Sequence, residues 1–391
     1  MATARKPFHV GISGSYGGWN MGDEAILQGI IGELRRSIPV EITVFTRDPT
    51  DTLGRHQVEH AVAVREFLRE DILPALQPLD LFILGGGGIL FDGEARIYLR
   101  EVELAHELGI PVMIYGVSAG PLVDPQTQAQ VTRCVEMADA ATVRDWRAKD
   151  LLQYSGVRRD IRVTADPALL IEPEPLPPYL LESEGLKGRR RLVGMSVREP
   201  GPAAPELAEM DYHSLLANAA DYIVDRLDAD VVLIPMERRQ HDLQHSHAVL
   251  ARMRGVQHAS VLRGQYSVGQ LLSLVGHFEF VVGMRLHFLI FAALQRVPFV
   301  PLPYAPKVAA FVEEFGVNST RLDRLNAGQL IALIDRAWDE RDAMREKIAQ
   351  ALPALQARAR ENNTIAVQLL VGRGQQRPAF ASVTSEPPSA R

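Results

Sequence analysis

The 391-residue sequence has few of the features that mark several large classes of protein. Cys134 is the only cysteine, which excludes a scaffold held together by internal disulfides. Lysine and arginine number 42 against 48 aspartates and glutamates, a formal net charge of −6, so the basic excess of a broad nucleic-acid surface is absent. No uninterrupted apolar run reaches the roughly 18 residues that span a bilayer. Residues 1–7 are not followed by the apolar segment of a signal peptide, so we expect a globular cytoplasmic protein.

The composition and the length are those of a folded chain with two domains. Hydrophobic residues make up 47% and charged residues 23% of the sequence, which is typical of globular proteins. A chain of 391 residues exceeds one ordinary hydrophobic core.

In the first half, short apolar runs alternate with stretches of helical periodicity. The apolar runs cover residues 8–13, 40–45, 79–84, 111–115 and 140–143, and the helical stretches cover 23–38, 95–108 and 146–154. This alternation predicts a parallel sheet with helices on both faces.

A change in composition separates this region from the second half. Residues 173–191 begin with repeated prolines and end in a run of lysine and arginine, which is typical of a linker. Residue 192 then opens an apolar run that resembles the run at 10–13, and further strand-like runs follow at 231–234, 278–282 and 297–301. We predict an α/β fold of two Rossmann-like, doubly wound parallel-sheet domains that face a cleft.

The predicted boundaries follow from these patterns. They are an N-terminal domain at 1–172, a linker at 173–191, a C-terminal domain at 192–373 and a disordered tail at 374–391. Residues 330–370 form a long helical segment with a break near Pro353.

Three glycine-containing segments, at 14–22, 85–88 and 116–120, are predicted as loops that follow strands. Glycines permit positive φ and close backbone approach, and a helix start offers free N–H groups to a ligand. The first segment matches neither the dinucleotide fingerprint nor the phosphate-binding P-loop. Asn20 or Asp23 caps the following helix, contacts a ligand, or does both. The glycine run at 85–88 accommodates either a ligand or tight packing of a strand on a helix.

Arg285 and His287 follow the predicted strand at 278–282. An arginine binds a carboxylate or a phosphate through two parallel hydrogen bonds, and a histidine exchanges protons near neutral pH. The alternative is an arginine paired with a carboxylate and a histidine that fills space. The position at the carboxyl end of a strand favours a functional role.

Two other features are interpreted as structural. The segment His241-Asp242-Leu243-Gln244-His245 resembles a zinc-binding helix, but it has Asp where Glu is needed and lacks an identifiable third ligand. A solvated helix face is the favoured interpretation, and no metal is predicted. Cys134 lies among apolar residues and is predicted to belong to the core.

Together these motifs resemble those of the polysaccharide pyruvyl transferases, which transfer a pyruvyl unit from phosphoenolpyruvate to a sugar. The segments that carry the resemblance are 16–24, 85–92, 116–121, 143–145, 283–287 and 303–307. The family often has Asp where Ala305 stands, so an acidic role is excluded there. The resemblance covers the chain up to the tail, and it implies a GT-B-like arrangement of the two domains without a cofactor.

The resemblance also implies roles for individual residues. It assigns catalysis to His287 and Arg285, with His287 moving a proton and the arginines stabilising the departing phosphate. A second donor arginine is implied, for which Arg198 and Arg144 compete, and Arg198 is preferred because it follows the first strand of the second domain. The implied donor-binding residues are Arg285, Leu286, Arg198, Arg144 and Lys307. The implied acceptor-binding residues are Asn20, Gly22, Asp23, Glu24, Gly86, Gly87 and Asp92.

The implied reaction forms a pyruvate ketal on a cell-surface polysaccharide or its lipid-linked precursor. The expected partners are phosphoenolpyruvate and a glycan acceptor, not nucleic acid, and a lipid-linked acceptor would require peripheral contact with a membrane. Two alternatives stay open at this point: a GT-B glycosyltransferase that uses a nucleotide sugar, and a binding protein without enzymatic activity.

Overall fold

The computed structural model describes residues 6–64, 69–188, 191–199, 209–237, 241–303, 305–317, 319–321 and 324–374. The predicted tail from residue 375 onward, residues 189–190 of the predicted linker and Tyr304 of the 303–307 motif lie outside this range. The strands of the first half are β1 Phe8–Ser13, β2 Val40–Thr46, β3 His60–Ala63, β4 Leu81–Leu90, β5 Val112–Ala119, β6 Ala140–Val143 and β7 Arg162–Val163. The helices of the first half are α1 Met21–Ser37, α2 Pro49–Arg55, α3 Arg69–Leu76, α4 Ala95–Glu107, α5 Pro125–Met137, α6 Trp146–Tyr154 and α7 Leu180–Ser183.

The second half repeats the alternation of strands and helices. Its strands are β8 Arg191–Ser196, β9 Ala229–Leu233, β10 Ala259–Val261, β11 Phe280–Gly283 and β12 Phe299–Pro301. Its helices are α8 Glu209–Arg226, α9 Asp242–Leu250, α10 Val268–Val275, α11 Leu286–Leu294, α12 Pro306–Glu313, α13 Ala327–Asp339 and α14 Arg341–Gly374.

The strands form two parallel sheets with the same internal order. One sheet has the order β3-β2-β1-β4-β5-β6-β7 and the other has the order β10-β9-β8-β11-β12. In each sheet the first strand lies between the second and the fourth, which is the doubly wound arrangement. The predicted fold of two Rossmann-like domains is therefore confirmed, and the two similar apolar runs occupy equivalent central strands.

Helix α1 has an N-terminal cap and one buried apolar face, both of which are encoded in its sequence. Asn20 caps it by accepting a hydrogen bond from Gly22 N at 3.0 Å. The apolar side chains at helical spacing, among them Ile26 and Ile30, are buried, while Arg35 and Arg36 occupy the last turn. The capping role expected of Asn20 or Asp23 thus belongs to Asn20.

The second and third glycine segments are parts of strands, so their prediction as loops was wrong. Gly85–Gly88 lies within β4 and Gly116 lies within β5. Positive φ values at Gly87 (+81°) and Gly116 (+57°) coincide with shifts in register between β4, β5 and β6, and Gly86, with a φ of +56°, directly precedes the first shift. The glycines therefore produce bulges that bend the strands without ending them.

The C-terminal helix connects the two halves. The break predicted near Pro353 was wrong, because α14 continues through Pro353 and the interruption falls between α13 and α14 at Glu340. Further along α14, Asn362 Oδ1 accepts hydrogen bonds from the hydroxyls of Thr142 and Thr164 in the first half. These buried contacts hold the helix against the N-terminal sheet, which offsets the hydrogen bond that a proline removes.

The proline-rich segment at 173–191 packs against the second half. The carboxylate of Glu184 accepts hydrogen bonds from Arg263 N at 2.9 Å, Gly264 N at 2.7 Å and the hydroxyl of Tyr266 at 2.5 Å. The boundaries given above for the two domains and the linker stay a prediction. Across the described ranges, no helix combines the length and the apolarity that crossing a membrane requires.

Candidate active site

A small pocket that is open to solvent lies between the two halves. Its lining residues are Asn20, Gly22, Asp23, Gly88, Arg144, Met236, Arg285, Leu286, His287 and Lys307. All of them lie at or just beyond the carboxyl ends of strands β1, β4, β6, β9, β11 and β12. This is the edge where open parallel sheets bind ligands.

The start of α1 joins the two halves at this pocket. Met21 N donates a hydrogen bond to Met236 O at 2.8 Å, and Asn20 forms an isolated antiparallel bridge with Glu237. The backbone of Gly22 lies against the His287 ring so closely that a Cβ atom there would overlap Cγ of the imidazole, at 2.6 Å. A residue without a side chain is therefore required at Gly22 if His287 keeps its position.

His287, Asp166 and Arg144 form a buried charged cluster in the pocket wall. Arg144 Nη1 donates to Asp166 Oδ2 at 2.6 Å, and Asp166 Oδ1 accepts from Ala168 N at 3.0 Å. His287 Nε2 lies 3.5 Å from Asp166 Oδ2, beyond ordinary hydrogen-bond length, and has no hydrogen-bond partner among the described residues. Burial would raise the pKa of Asp166, but the charges of Arg144 and His287 hold that pKa below its ordinary value.

The same surroundings determine the protonation of His287. Burial lowers the pKa of His287; Asp166 opposes this shift, and the cations Arg144 and Lys307 reinforce it. The imidazole is consequently neutral near pH 7 and is able to accept a proton.

Arg144 and Lys307 place two positive charges beside Gly88. A Cβ atom at Gly88 would lie 3.8 Å from Arg144 Nη2 and 3.8 Å from Lys307 Nζ. Gly88 is exposed, so the space between the two cations opens to the pocket. Two cations around an accessible gap favour the binding of a small anion.

Asp23 is the carboxylate that lines the pocket on the α1 side. Burial, and then the neighbouring charge of Glu24, raise the pKa of Asp23 to about 7, while Lys307 opposes the shift. A carboxyl group with this pKa exchanges protons near neutral pH. Asp23 therefore offers a second proton-transfer group in the same pocket as His287.

Arg285 is held by two carboxylates. Its Nε donates to Asp242 Oδ2 at 2.9 Å, and its Nη2 donates to Asp242 Oδ1 at 2.5 Å and to Glu237 Oε2 at 2.8 Å. Burial raises the pKa of Asp242, an effect that Arg285 opposes. The positive charge of Arg285 is thus balanced within the protein before any ligand binds.

The other predicted donor residues separate into two groups. Leu286 lines the pocket, as do Arg144 and Lys307. Arg198 does not line it; its Nε donates to Glu199 O at 3.0 Å, and its backbone N–H is bound by the hydroxyl of Tyr212.

Two of the predicted acceptor residues, Glu24 and Asp92, do not line the pocket. Glu24 does not reach the pocket, because its fully buried carboxylate accepts from Gly17 N and pairs with His56 Nε2 at 2.8 Å. These contacts direct the carboxylate away from the pocket, and the assignment of Glu24 as an acceptor ligand stays a prediction. Asp92 lies outside the pocket lining, where its carboxylate accepts from Val123 N and Asp124 N.

The glycines of β4 have different neighbours. A Cβ atom at Gly86 would overlap Ile26 of α1, and one at Gly87 would lie 3.5 Å from Asp23 Oδ1. Neither glycine lines the pocket, whereas Gly88 does. Gly86 and Gly87 therefore allow β4 to pack against α1, the alternative that the sequence had left open.

The helix of the His241–His247 segment is not the solvated face that we predicted. Asp242 and His245 of α9 are buried, and His245 Nδ1 lies 2.7 Å from His213 Nε2. Within the described part of the chain, no group of three or more His, Cys, Asp or Glu side chains is placed to hold a metal ion. Cys134 is fully buried in the core, as predicted.

Sequence reasoning missed Asp166 and Glu237; it considered Asp242 only as part of a zinc-like segment, and Gly88 only as a member of the glycine run at 85–88. Asp166 directly precedes Pro167 after β7, and a polar residue before proline at a strand end is a detectable turn signal. Asp242 and Glu237 carried no such signal, because only the fold brings them to Arg285.

Comparison with known proteins agrees with this geometry. The family model of the polysaccharide pyruvyl transferases matches residues 20–306. The chain belongs to this family. The match starts at the Asn20 cap and extends to the first residue of α12, so it includes most residues that line the pocket.

Several solved structures are similar to this chain in fold. A putative UDP-N-acetylglucosamine 2-epimerase from Listeria monocytogenes has a TM-score of 0.64 and 13% identity, covering 96% of this chain and 98% of its own. MnaA of S. aureus, in a co-structure with UDP, has a TM-score of 0.65 and 10% identity, covering 95% and 99%. The heptosyltransferase II of E. coli has a TM-score of 0.50 and 15% identity, covering 86% and 99%. At these identities the similarity establishes a GT-B-like fold alone.

Proposed function

We propose that the protein transfers the pyruvyl group of phosphoenolpyruvate to two hydroxyls of one sugar, forming a pyruvate ketal and releasing phosphate. The observation that carries this proposal is the pocket in which His287, backed by Asp166 and Arg144, lies beside Lys307 and opposite Asp23. Membership of the polysaccharide pyruvyl transferase family supports it.

The donor is an anion with a phosphate and a carboxylate, and it needs local cations despite the net charge of −6. Arg144 and Lys307, which border the gap at Gly88, are the proposed ligands of the phosphate. Arg285 and Leu286 complete the donor side of the pocket. This proposal reverses the order of the two competing arginines, because Arg144 lines the pocket and Arg198 does not.

The proposed chemistry requires two proton transfers that balance. The first sugar hydroxyl adds to C2 of the donor, and its proton passes through neutral His287 to the methylene carbon, which becomes the methyl group. The C–O bond to phosphate then breaks, and the second hydroxyl attacks C2 to close the ring. Its proton passes through Asp23 to the departing phosphate, whose charge Arg144 and Lys307 stabilise.

The acceptor is proposed to bind on the α1 side of the pocket. Asn20, Gly22 and Asp23 line this side, and carboxylate and amide oxygens suit sugar hydroxyls. We propose a cytoplasmic enzyme that acts on a cell-surface polysaccharide or its lipid-linked precursor, the latter requiring peripheral contact with a membrane.

The test is to incubate the protein with phosphoenolpyruvate and acceptor glycans while measuring phosphate release and the mass of the glycan product. We expect phosphate and ketal in equal amounts, and no turnover by His287→Ala. The control is His247→Ala, which removes an exposed histidine of the same half. Saturable binding of a nucleotide sugar without phosphate release in any glycan pool would overturn the proposal in favour of a glycosyltransferase.

A further inference from the structure

Asp242 is a buried carboxylate at which several backbone and side-chain groups converge, and the proposed chemistry does not use it. Its side chain accepts four hydrogen bonds: from Met236 N at 3.2 Å, from Glu237 N at 3.1 Å, and from Nε and Nη2 of Arg285. Asp242 is 1% exposed, so these partners replace the water that a carboxylate normally binds.

The contacts of Asp242 link two loops that do not belong to neighbouring strands. Met236 and Glu237 follow β9, whereas Arg285 follows β11, and β8 lies between these strands in the sheet. At the end of β8, Ser196 Oγ accepts hydrogen bonds from Met284 N at 3.1 Å and Arg285 N at 3.2 Å. Asp242 and Ser196 together therefore fix the backbone and the guanidinium of Arg285.

One of these loops also carries the contact with the first half of the chain. Met236 O accepts the hydrogen bond from Met21 N, and Glu237 bridges Asn20. These two residues begin the helix whose next residues, Gly22 and Asp23, line the pocket, with Gly22 directly against the His287 ring. A shift of the 236–237 segment would therefore move Asp23 relative to His287.

We infer that Asp242 is a positioning residue that sets the distance between the two sides of the pocket. It holds Arg285 on the donor side and the 236–237 segment on the acceptor side with one carboxylate. This inference rests on the proposed function for its kinetic consequence, but its structural consequence is independent of any activity.

The variant Asp242→Asn keeps the shape of the side chain, but its amide NH₂ group must face an N–H donor. The matched control is Asp221→Asn. Asp221 is 2% exposed and likewise accepts from two backbone N–H groups, those of Arg254 and Gly255, and from an arginine Nε, but it lies outside the pocket lining. Both variants therefore lose a buried carboxylate, but only Asp242→Asn removes one that is bonded to residues of the pocket.

The exchange rate of backbone amide hydrogens, measured by mass spectrometry, tests the inference without an activity assay. We expect Asp242→Asn to accelerate exchange of the Met21 amide at least tenfold, and Asp221→Asn to leave it at the wild-type rate. In the phosphate-release assay, kcat/KM for phosphoenolpyruvate should fall at least tenfold for Asp242→Asn, towards the roughly 10²-fold loss that a 1 Å displacement causes. With Asp221→Asn it should stay at the wild-type value.

Unchanged exchange at Met21 in Asp242→Asn would overturn the inference, whatever the activity. If the wild-type protein releases no phosphate while the exchange result holds, the proposed function fails and the positioning role stands. Should Asp242→Asn fail to fold, Asp242→Glu takes its place, because it keeps the negative charge but lengthens the side chain by one methylene, which displaces the carboxylate from the N–H groups of Met236 and Glu237. Wild-type exchange and wild-type kcat/KM in that variant would equally overturn the inference.

Discussion

Substitution of Gly22 by alanine gives the most direct test of the pocket geometry. The new Cβ atom would lie 2.6 Å from Cγ and 2.9 Å from Cε1 of His287, and closer still to Nδ1. Carbon atoms in contact are separated by about 3.5–4.0 Å, so the ring must retreat by roughly 1 Å. We expect a loss of about 1–3 kcal/mol of stability from overpacking, and a fall in kcat/KM of about 10²-fold from the displaced imidazole.

The matched control lies on the same helix. At Gly32 a Cβ atom would meet only Arg36 Nη2, at 3.7 Å, so alanine fits there without strain. Alanine is a better helix former than glycine, and Gly32→Ala should raise stability by up to about 1 kcal/mol without affecting turnover. Urea denaturation gives the stabilities, and phosphate release gives kcat/KM. If Gly22→Ala behaves like Gly32→Ala in both assays, His287 does not depend on the absence of a side chain at Gly22.

Substitutions of three polar side chains give four further expected outcomes. Asp166→Ala leaves the guanidinium of Arg144 buried without its partner, so urea denaturation should show a loss of about 3–5 kcal/mol; wild-type stability would contradict the ion pair. Asp23 has a pKa raised to about 7 in the free protein, so kcat/KM should rise with pH through that region as the carboxyl ionises and becomes a base, and Asp23→Asn should abolish that limb of the profile. Because the pKa of Asp23 is raised from 3.8 to about 7 in the folded state, the stability contributed by protonated Asp23 is lost progressively between about pH 4 and pH 7, so thermal unfolding above pH 7 should find Asp23→Asn more stable than wild type. Asn362→Ala should lower the free energy of unfolding by about 1–3 kcal/mol, because the buried carbonyl of Ala165 loses its donor, Asn362 Nδ2, and an unchanged denaturation midpoint would refute that role.

Much of the fold was predictable because it follows from periodicity. The strands at 8–13 and 140–143 and the helix at 146–154 coincide with β1, β6 and α6. Each apolar run is long enough for one buried strand, and each amphipathic stretch has one apolar face. The glycines of β4 were misplaced, because a bulge and a loop use the same positive-φ residues and differ only in strand pairing.

The candidate site was predictable only where its residues lie in local motifs. His287 and Arg144 follow strands directly, so their types and positions indicated a ligand edge. Asp166 and Asp242 act through partners more than 20 and more than 40 residues away, and spacing along the chain does not encode such pairs. Arg198 was preferred as the second donor arginine because it follows a strand. The end of a strand specifies an edge of the sheet, but it does not specify the direction in which a side chain points.

The packing of α14 against the N-terminal sheet determines when that sheet can complete its folding during synthesis. Thr142 leaves the ribosome 220 residues before Asn362, the residue that satisfies its hydroxyl. At ordinary translation rates this interval lasts about 10 to 45 s. For most of that time all strands of the N-terminal sheet have been made, and the sheet still exposes the surface that α14 will cover. A nascent chain halted before Asn362 should therefore be a better substrate for proteases and chaperones than one halted after it, despite containing every residue of the first sheet.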